Sequence, residues 1–151
     1  MSPNSGEKGY SVKKNIVCLV GSMFLIWLAV SGINAAAQGT VPRISIQELR
    51  KMLDSGKAVT IIDAQPKNIY KEGHIKGAIS LPWRSQIPLE DVWNIPKDKP
   101  IVTYCDCGPG ESDSADVAAQ LIQYGYDDVK VLADPSVKGW KQSGYPMDKE
   151  K

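Results

Sequence analysis

The chain has 151 residues, of which 42% are hydrophobic and 23% charged, with a formal net charge of +1. That length holds one domain with a moderate core beside a short targeting segment, and a near-neutral balance without a basic stripe argues against nucleic acid as a partner. Of the three cysteines, Cys105 and Cys107 lie one residue apart, which excludes a disulfide-stapled scaffold and points to chemistry.

In chain order, Lys8, Lys13 and Lys14 precede residues 16–33, an uncharged run long enough to cross a membrane as a helix. Ala35-Ala36-Ala37 then places small residues where signal peptidase reads, before Gln38. Residues 1–37 therefore read either as a cleaved signal peptide or as a single transmembrane anchor, with the membrane a partner through residues 16–33 if uncleaved. The lysines stay on the cytoplasmic side. Residues 38–151 are then expected in the bacterial periplasm, secreted by the signal or anchored to the inner membrane.

Ser45-Ile46-Gln47-Glu48 is a capping box that opens a helix carrying Ile46, Leu49, Met52 and Leu53 on one face, and Asp54-Ser55-Gly56 ends it. Residues 59–62 predict a strand buried on both faces that ends at Asp63. One helical turn over 67–71, a compact loop over 72–78 and a short strand over 79–81 closed by Pro82 follow. Residues 89–93 predict a further turn of helix, 101–105 the central strand, 114–124 the second main helix and 129–132 a third clear strand. A last short helix over 137–143 packs Trp140 on the sheet, and the alternation as a whole predicts an α/β fold.

Cys105 ends the central strand, on the edge of a parallel sheet where ligands bind. The loop that follows holds Asp106, Gly108, Pro109, Gly110, Glu111, Ser112 and Asp113 before Ser114. Its backbone amides and the positive end of the next helix favour a thiolate, which makes Cys105 the candidate nucleophile. The two glycines allow close backbone approach, and Pro109 removes one donor.

Asp63-Ala64, the run Tyr70-Lys71-Glu72-Gly73-His74-Ile75-Lys76-Gly77-Ala78-Ile79-Ser80-Leu81-Pro82, the strand over 101–105, Gly125-Tyr126, Gly139-Trp140 and Gly144-Tyr145-Pro146 together resemble a rhodanese domain, across about residues 44–146. The resemblance implies a three-layer α/β domain with a central, mainly parallel sheet flanked by helices. It also implies a sulfurtransferase in which Cys105 takes sulfane sulfur as a persulfide and passes it to a thiophilic acceptor. The partners so implied are a small sulfur donor or protein persulfide and a thiol acceptor or reductase, with no cofactor and no metal.

Three departures qualify that expectation. The family's loop runs Cys-x-x-Gly-x-Arg-Ser, whereas here Ser114 stands nine residues after Cys105, so the loop is longer by three and lacks the arginine. It carries Asp106, Glu111 and Asp113, with Asp116 just beyond, and Gln65 stands where the family has arginine in Asp-x-Arg. Free thiosulfate is therefore expected to be a poor substrate unless Lys67, Lys71, Arg84 or Lys138 reaches in.

Cys107 is the third departure, with three readings: a resolving thiol that attacks the Cys105 persulfide and leaves a Cys105–Cys107 disulfide, a metal ligand, or an incidental loop residue. The alternative function is a non-catalytic module that binds a thiol, a metal ion or a protein through the same pocket. Supporting roles fall to Asp63 and Gln65 at the second strand end, to Trp83 and Arg84 at the rim, and to His74, the only histidine, in a structural turn bonded to backbone or to Asp63. Tyr104 is expected to line or underpin the pocket rim, Trp93 and Trp140 are expected in packing, and Leu132-Ala133-Asp134-Pro135 is expected to reshape one wall of the pocket.

Overall fold

Strands β2 (Thr60–Asp63) and β5 (Ile101–Tyr104) are buried along their whole length at the centre of the computed structural model, which describes residues 40–150. Continuous burial is what Thr-Ile-Ile-Asp and Ile-Val-Thr-Tyr require, because neither alternates apolar with polar residues and both faces must be covered. The two strands pair in parallel, with Thr60 opposite Ile101 and Asp63 opposite Tyr104. β6 (Val129–Leu132) flanks β5, β1 (Arg43–Ile44) lies beyond it, and β4 (Ile79–Ser80) flanks β2. The result is a parallel five-stranded sheet in the order β1-β6-β5-β2-β4. β3 (His74–Ile75) and β7 (Met147–Asp148) form a separate antiparallel pair.

Helices cover both faces, as the sequence predicts. On one face α1 (Ile46–Asp54), α2 (Lys67–Glu72) and α4 (Ser136–Gln142) pack Leu49, Tyr70 and Trp140 against Ile61, Val102, Tyr104 and Leu132. On the other, α3 (Ser112–Gln123) and the 3-10 turn Leu89–Asp91 bring Val117, Ala118, Leu121 and Val92 onto Ile62, Ile101, Val129 and Val131. Each fully buried aliphatic side chain contributes about 1.5–3 kcal/mol, so these two layers hold the sheet in register. The capping box is complete: the Glu48 N–H donates to Ser45 Oγ and the Ser45 N–H donates to Glu48 Oε2.

Several expectations need correction. β1, β3 and β7 have two residues each, too few to show any periodicity in sequence. α3 begins at Ser112, two residues before the expected start, because Glu111 takes a left-handed conformation that turns the loop directly into the helix. Trp140 is fully buried, but Trp93 is 70% exposed instead of packed. The expected localisation is also corrected: no helix among the described residues is long and apolar enough to cross a membrane. The signal or anchor expected over residues 1–37 lies outside the described residues.

Candidate functional site

Because Asp63 and Tyr104 stand opposite one another in register, β2 and β5 end side by side, and the Ala64 N–H donates to the Tyr104 carbonyl at 2.9 Å. Below that junction lies a buried polar network. Tyr104 donates its phenolic O–H to Asp63 Oδ2 at 2.6 Å and accepts the Ile75 N–H at 3.0 Å. Gln65 donates through its backbone N–H to Asp63 Oδ1 at 2.8 Å and through Nε2 to Oδ2 at 3.1 Å. Burial raises the Asp63 pKa above its ordinary value of 3.8, opposed by those hydrogen bonds. Burial and the adjacent carboxylate push the Tyr104 phenol far up, so it remains a donor.

One residue further along β5, Cys105 is joined to Cys107 in a disulfide. The free thiolate expected at Cys105 is thus absent in this state, since a sulfur in a disulfide is no nucleophile. Cys105 is 2% exposed and Cys107 half-buried, so Cys107 is the more accessible residue of the pair. Cys105 Sγ lies 3.5 Å from Ser114 Oγ, in the first turn of α3, and that hydroxyl donates to the Glu111 carbonyl at 3.1 Å. Between the two cysteines and the helix, Gly108 and Gly110 have φ of 84° and 92°, values that glycine adopts without strain.

The loop is less acidic than its composition implies. Glu111 is 4% exposed, and its carboxylate accepts Nε–H of Arg43 at 3.0 Å and the Asp134 N–H at 2.6 Å. Asp113 accepts from Ser112 Oγ at 3.2 Å, and Asp116 accepts from Trp83 Nε1 at 3.1 Å. Arg43 was not among the residues that sequence reasoning brought to the site. It stands 68 positions from Glu111 in a two-residue strand and carries no local signal.

The remaining candidates divide. Gln65 and Asp106 line a cleft of about 1140 Å³ whose walls include Lys71, Lys138, Lys141 and Lys149 together with Glu72 and Glu150. Lys71 and Lys138 therefore border the cleft next to the loop, with Lys71 3.9 Å from Glu150. Arg84 is instead engaged with Asp91 at 2.9 Å, and half-exposed Trp83 reaches α3 through Asp116. His74 donates Nδ1–H to the Tyr70 carbonyl at 2.8 Å and stacks on the Tyr70 ring, so its partner is backbone and not Asp63. The wall after β6 is tied to the loop through the Asp134 N–H. Among the described residues no group of three or more His, Cys, Asp or Glu side chains could hold a metal ion.

The rhodanese-like domain family matches residues 45–143. Comparison with curated proteins finds no match. Among solved structures, the chain is similar to the BH2092 protein from Bacillus halodurans, with 23% identity, a TM-score of 0.64 and 86% of each chain covered, a likeness that speaks to fold alone. It is also similar to a thiosulfate sulfurtransferase from Pseudomonas aeruginosa, with 26% identity and a TM-score of 0.61 over 73% of this chain but only 20% of that one. The Alr3790 protein from Anabaena shares 26% identity and a TM-score of 0.56, over 71% of this chain and 80% of its own. A family match across that span, on a parallel sheet with the cysteine at its central strand end, settles the relationship: the chain belongs to the rhodanese-like domain family.

Proposed function

We propose that this protein is a rhodanese-like thiol module whose working group is the Cys105–Cys107 pair, exchanging between disulfide and dithiol with a thiol partner and turning over no free thiosulfate. The observation that carries this reading is the disulfide between those two residues at the end of β5. A partner thiolate attacks Sγ of Cys107, the more accessible residue of the pair. The S–S bond breaks, a mixed disulfide forms, and Cys105 leaves as a thiolate at the first turn of α3, whose N-terminal amides favour negative charge. A second partner thiolate then displaces Cys107. The partner ends as a disulfide and the module as a dithiol, with two electrons and two protons transferred.

Free thiosulfate suits the site poorly. The loop supplies no arginine and Asp106 faces the cleft, so the cations there are the wall lysines Lys71, Lys138, Lys141 and Lys149, which act as point charges and do not reproduce a two-pronged arginine contact.

A second reading is favoured by the same disulfide, because it is the product that a resolving step would leave. In it the reduced Cys105 thiolate takes the outer sulfur of a protein persulfide, releasing the donor as a thiolate. Cys107 then attacks the Cys105 sulfur and expels hydrosulfide. Mass spectrometry of reduced parent and of reduced Cys107→Ser, which cannot expel the added sulfur as hydrosulfide, separates the two readings, after exposure in turn to thiosulfate, an organic persulfide and the disulfide of a small thiol. The thiol module forms a mixed disulfide with the last and gains no sulfur atom from the first two. Gain of one sulfur atom at Cys105 from either donor rejects the primary reading in favour of sulfur transfer.

A further inference from the structure

Of the carboxylates in and just after the loop, Glu111 alone is buried, and it is held on every side. Its backbone has φ 48° and ψ 47°, a left-handed conformation that an L-residue keeps only where its surroundings impose it. Oε2 accepts Nε–H of Arg43 on β1, and Oε1 accepts the Asp134 N–H in the turn after β6. Arg43 also donates through Nη2 to the Gly110 carbonyl at 3.2 Å. The Glu111 carbonyl in turn accepts from Ser114 Oγ, the group 3.5 Å from Cys105 Sγ. One end of the cysteine loop is therefore fixed by β5, and the other is strapped through Glu111 to the edge strand and to the neighbouring turn.

We infer that Arg43 and Glu111 are positioning residues for the thiol pair: by clamping the far end of the loop to β1 they hold Cys107 within bonding reach of Cys105 and so set the dithiol–disulfide equilibrium. The inference rests on the exchanging pair proposed above. Closing a bond between two cysteines depends on how often the loop brings them together, and a loop tethered at both ends samples fewer open arrangements than one tethered at a single end. Arg43 and Glu111 act through the loop, so they affect the equilibrium and not the identity of the attacking thiol. The bidentate use of Arg43, one nitrogen on the carboxylate and another on the Gly110 carbonyl, is a geometry that lysine does not reproduce.

The test is the equilibrium of the pair against mixtures of reduced and oxidised dithiothreitol, trapped by alkylation and read by mass spectrometry on the full chain. Arg43→Met and Glu111→Gln are expected to lower the constant for disulfide formation about tenfold, with Arg43→Lys between them and the parent. Arg50→Met, which breaks the Arg50–Asp54 pair on α1, serves as the control for a lost surface ion pair and leaves the constant unchanged. Urea unfolding of each variant separates loop positioning from global stability. If Glu111→Gln does not fold, Arg43→Met decides, because the arginine side chain is 42% exposed and Glu111 keeps the Asp134 N–H. Folded variants whose constants stay within about twofold of the parent overturn the inference, even with lowered unfolding midpoints. A parent whose pair neither closes nor exchanges removes the thiol-module reading and this inference together, whereas unchanged variants of an exchanging parent remove only the inference.

Discussion

Tyr104, the last residue of β5, donates its phenolic hydrogen to Asp63 across 2.6 Å, one residue before the disulfide-bonded Cys105. Both side chains are fully buried, and the same phenolic oxygen accepts the Ile75 N–H, so one hydroxyl joins the central strand to its neighbour and to β3. Tyr104→Phe keeps the ring and its packing while leaving the Ile75 donor without an acceptor and Asp63 with one donor fewer. The expected loss is about 1–3 kcal/mol of stability, read by urea unfolding. An unchanged midpoint contradicts the assignment.

Asp63 makes stability depend on pH in a direction opposite to that of a paired surface carboxylate. Burial raises its folded-state pKa above 3.8, so as pH rises the unfolded chain releases this proton before the folded one does. The group's contribution is fully present below the unfolded pKa and is lost as pH rises through the folded value. The stability of the parent relative to Asp63→Asn is therefore expected to fall as pH increases from 3.8 upward, measured by urea unfolding at stepped pH. A difference that is flat or rises with pH shows that Asp63 is not held in this way.

The proposed order of attack at the pair rests on accessibility. With Cys105 2% exposed and Cys107 half-buried, Cys105→Ser leaves the outer thiol available. That variant is expected to accumulate a mixed disulfide with a small-thiol disulfide several-fold faster than Cys107→Ser, followed by intact mass. Equal rates, or a faster Cys107→Ser, reverse the proposed order of attack.

Gly139 lies inside α4, where a helix propensity argument favours alanine by about 1 kcal/mol. Packing opposes it: a Cβ there runs into the Pro135 ring and meets Ile46 Cδ1 at 3.3 Å. Overpacking of this kind costs about 1–3 kcal/mol, so Gly139→Ala is expected to be net destabilising. Thermal unfolding decides it, and a raised midpoint shows that Pro135 yields.

The parts of this protein that were legible in its sequence depend on neighbours in the chain. Ser45 and Glu48 cap the same helix end, apolar runs without alternation mark β2 and β5, and Cys105 at a strand end before a glycine-containing loop marks the candidate site. Each rests on a spacing of a few residues, which is the range over which hydrogen bonding and side-chain periodicity write themselves into sequence. The resemblance to rhodanese domains carried the three-layer fold by the same local motifs.

What depends on distant segments meeting was decided only by the tertiary structure. The acidic loop looked repulsive because the partner that neutralises Glu111 is Arg43, 68 positions away, brought near when β1 joins the sheet edge beside β6. His74 turns to the Tyr70 carbonyl and not to Asp63, because Tyr104 and Gln65 already occupy the carboxylate. The closed Cys105–Cys107 pair belongs to the same class. Spacing permits both the open and the closed form, and the pairing observed depends on the folded environment of a loop tied at one end to β5 and at the other, through Glu111, to β1.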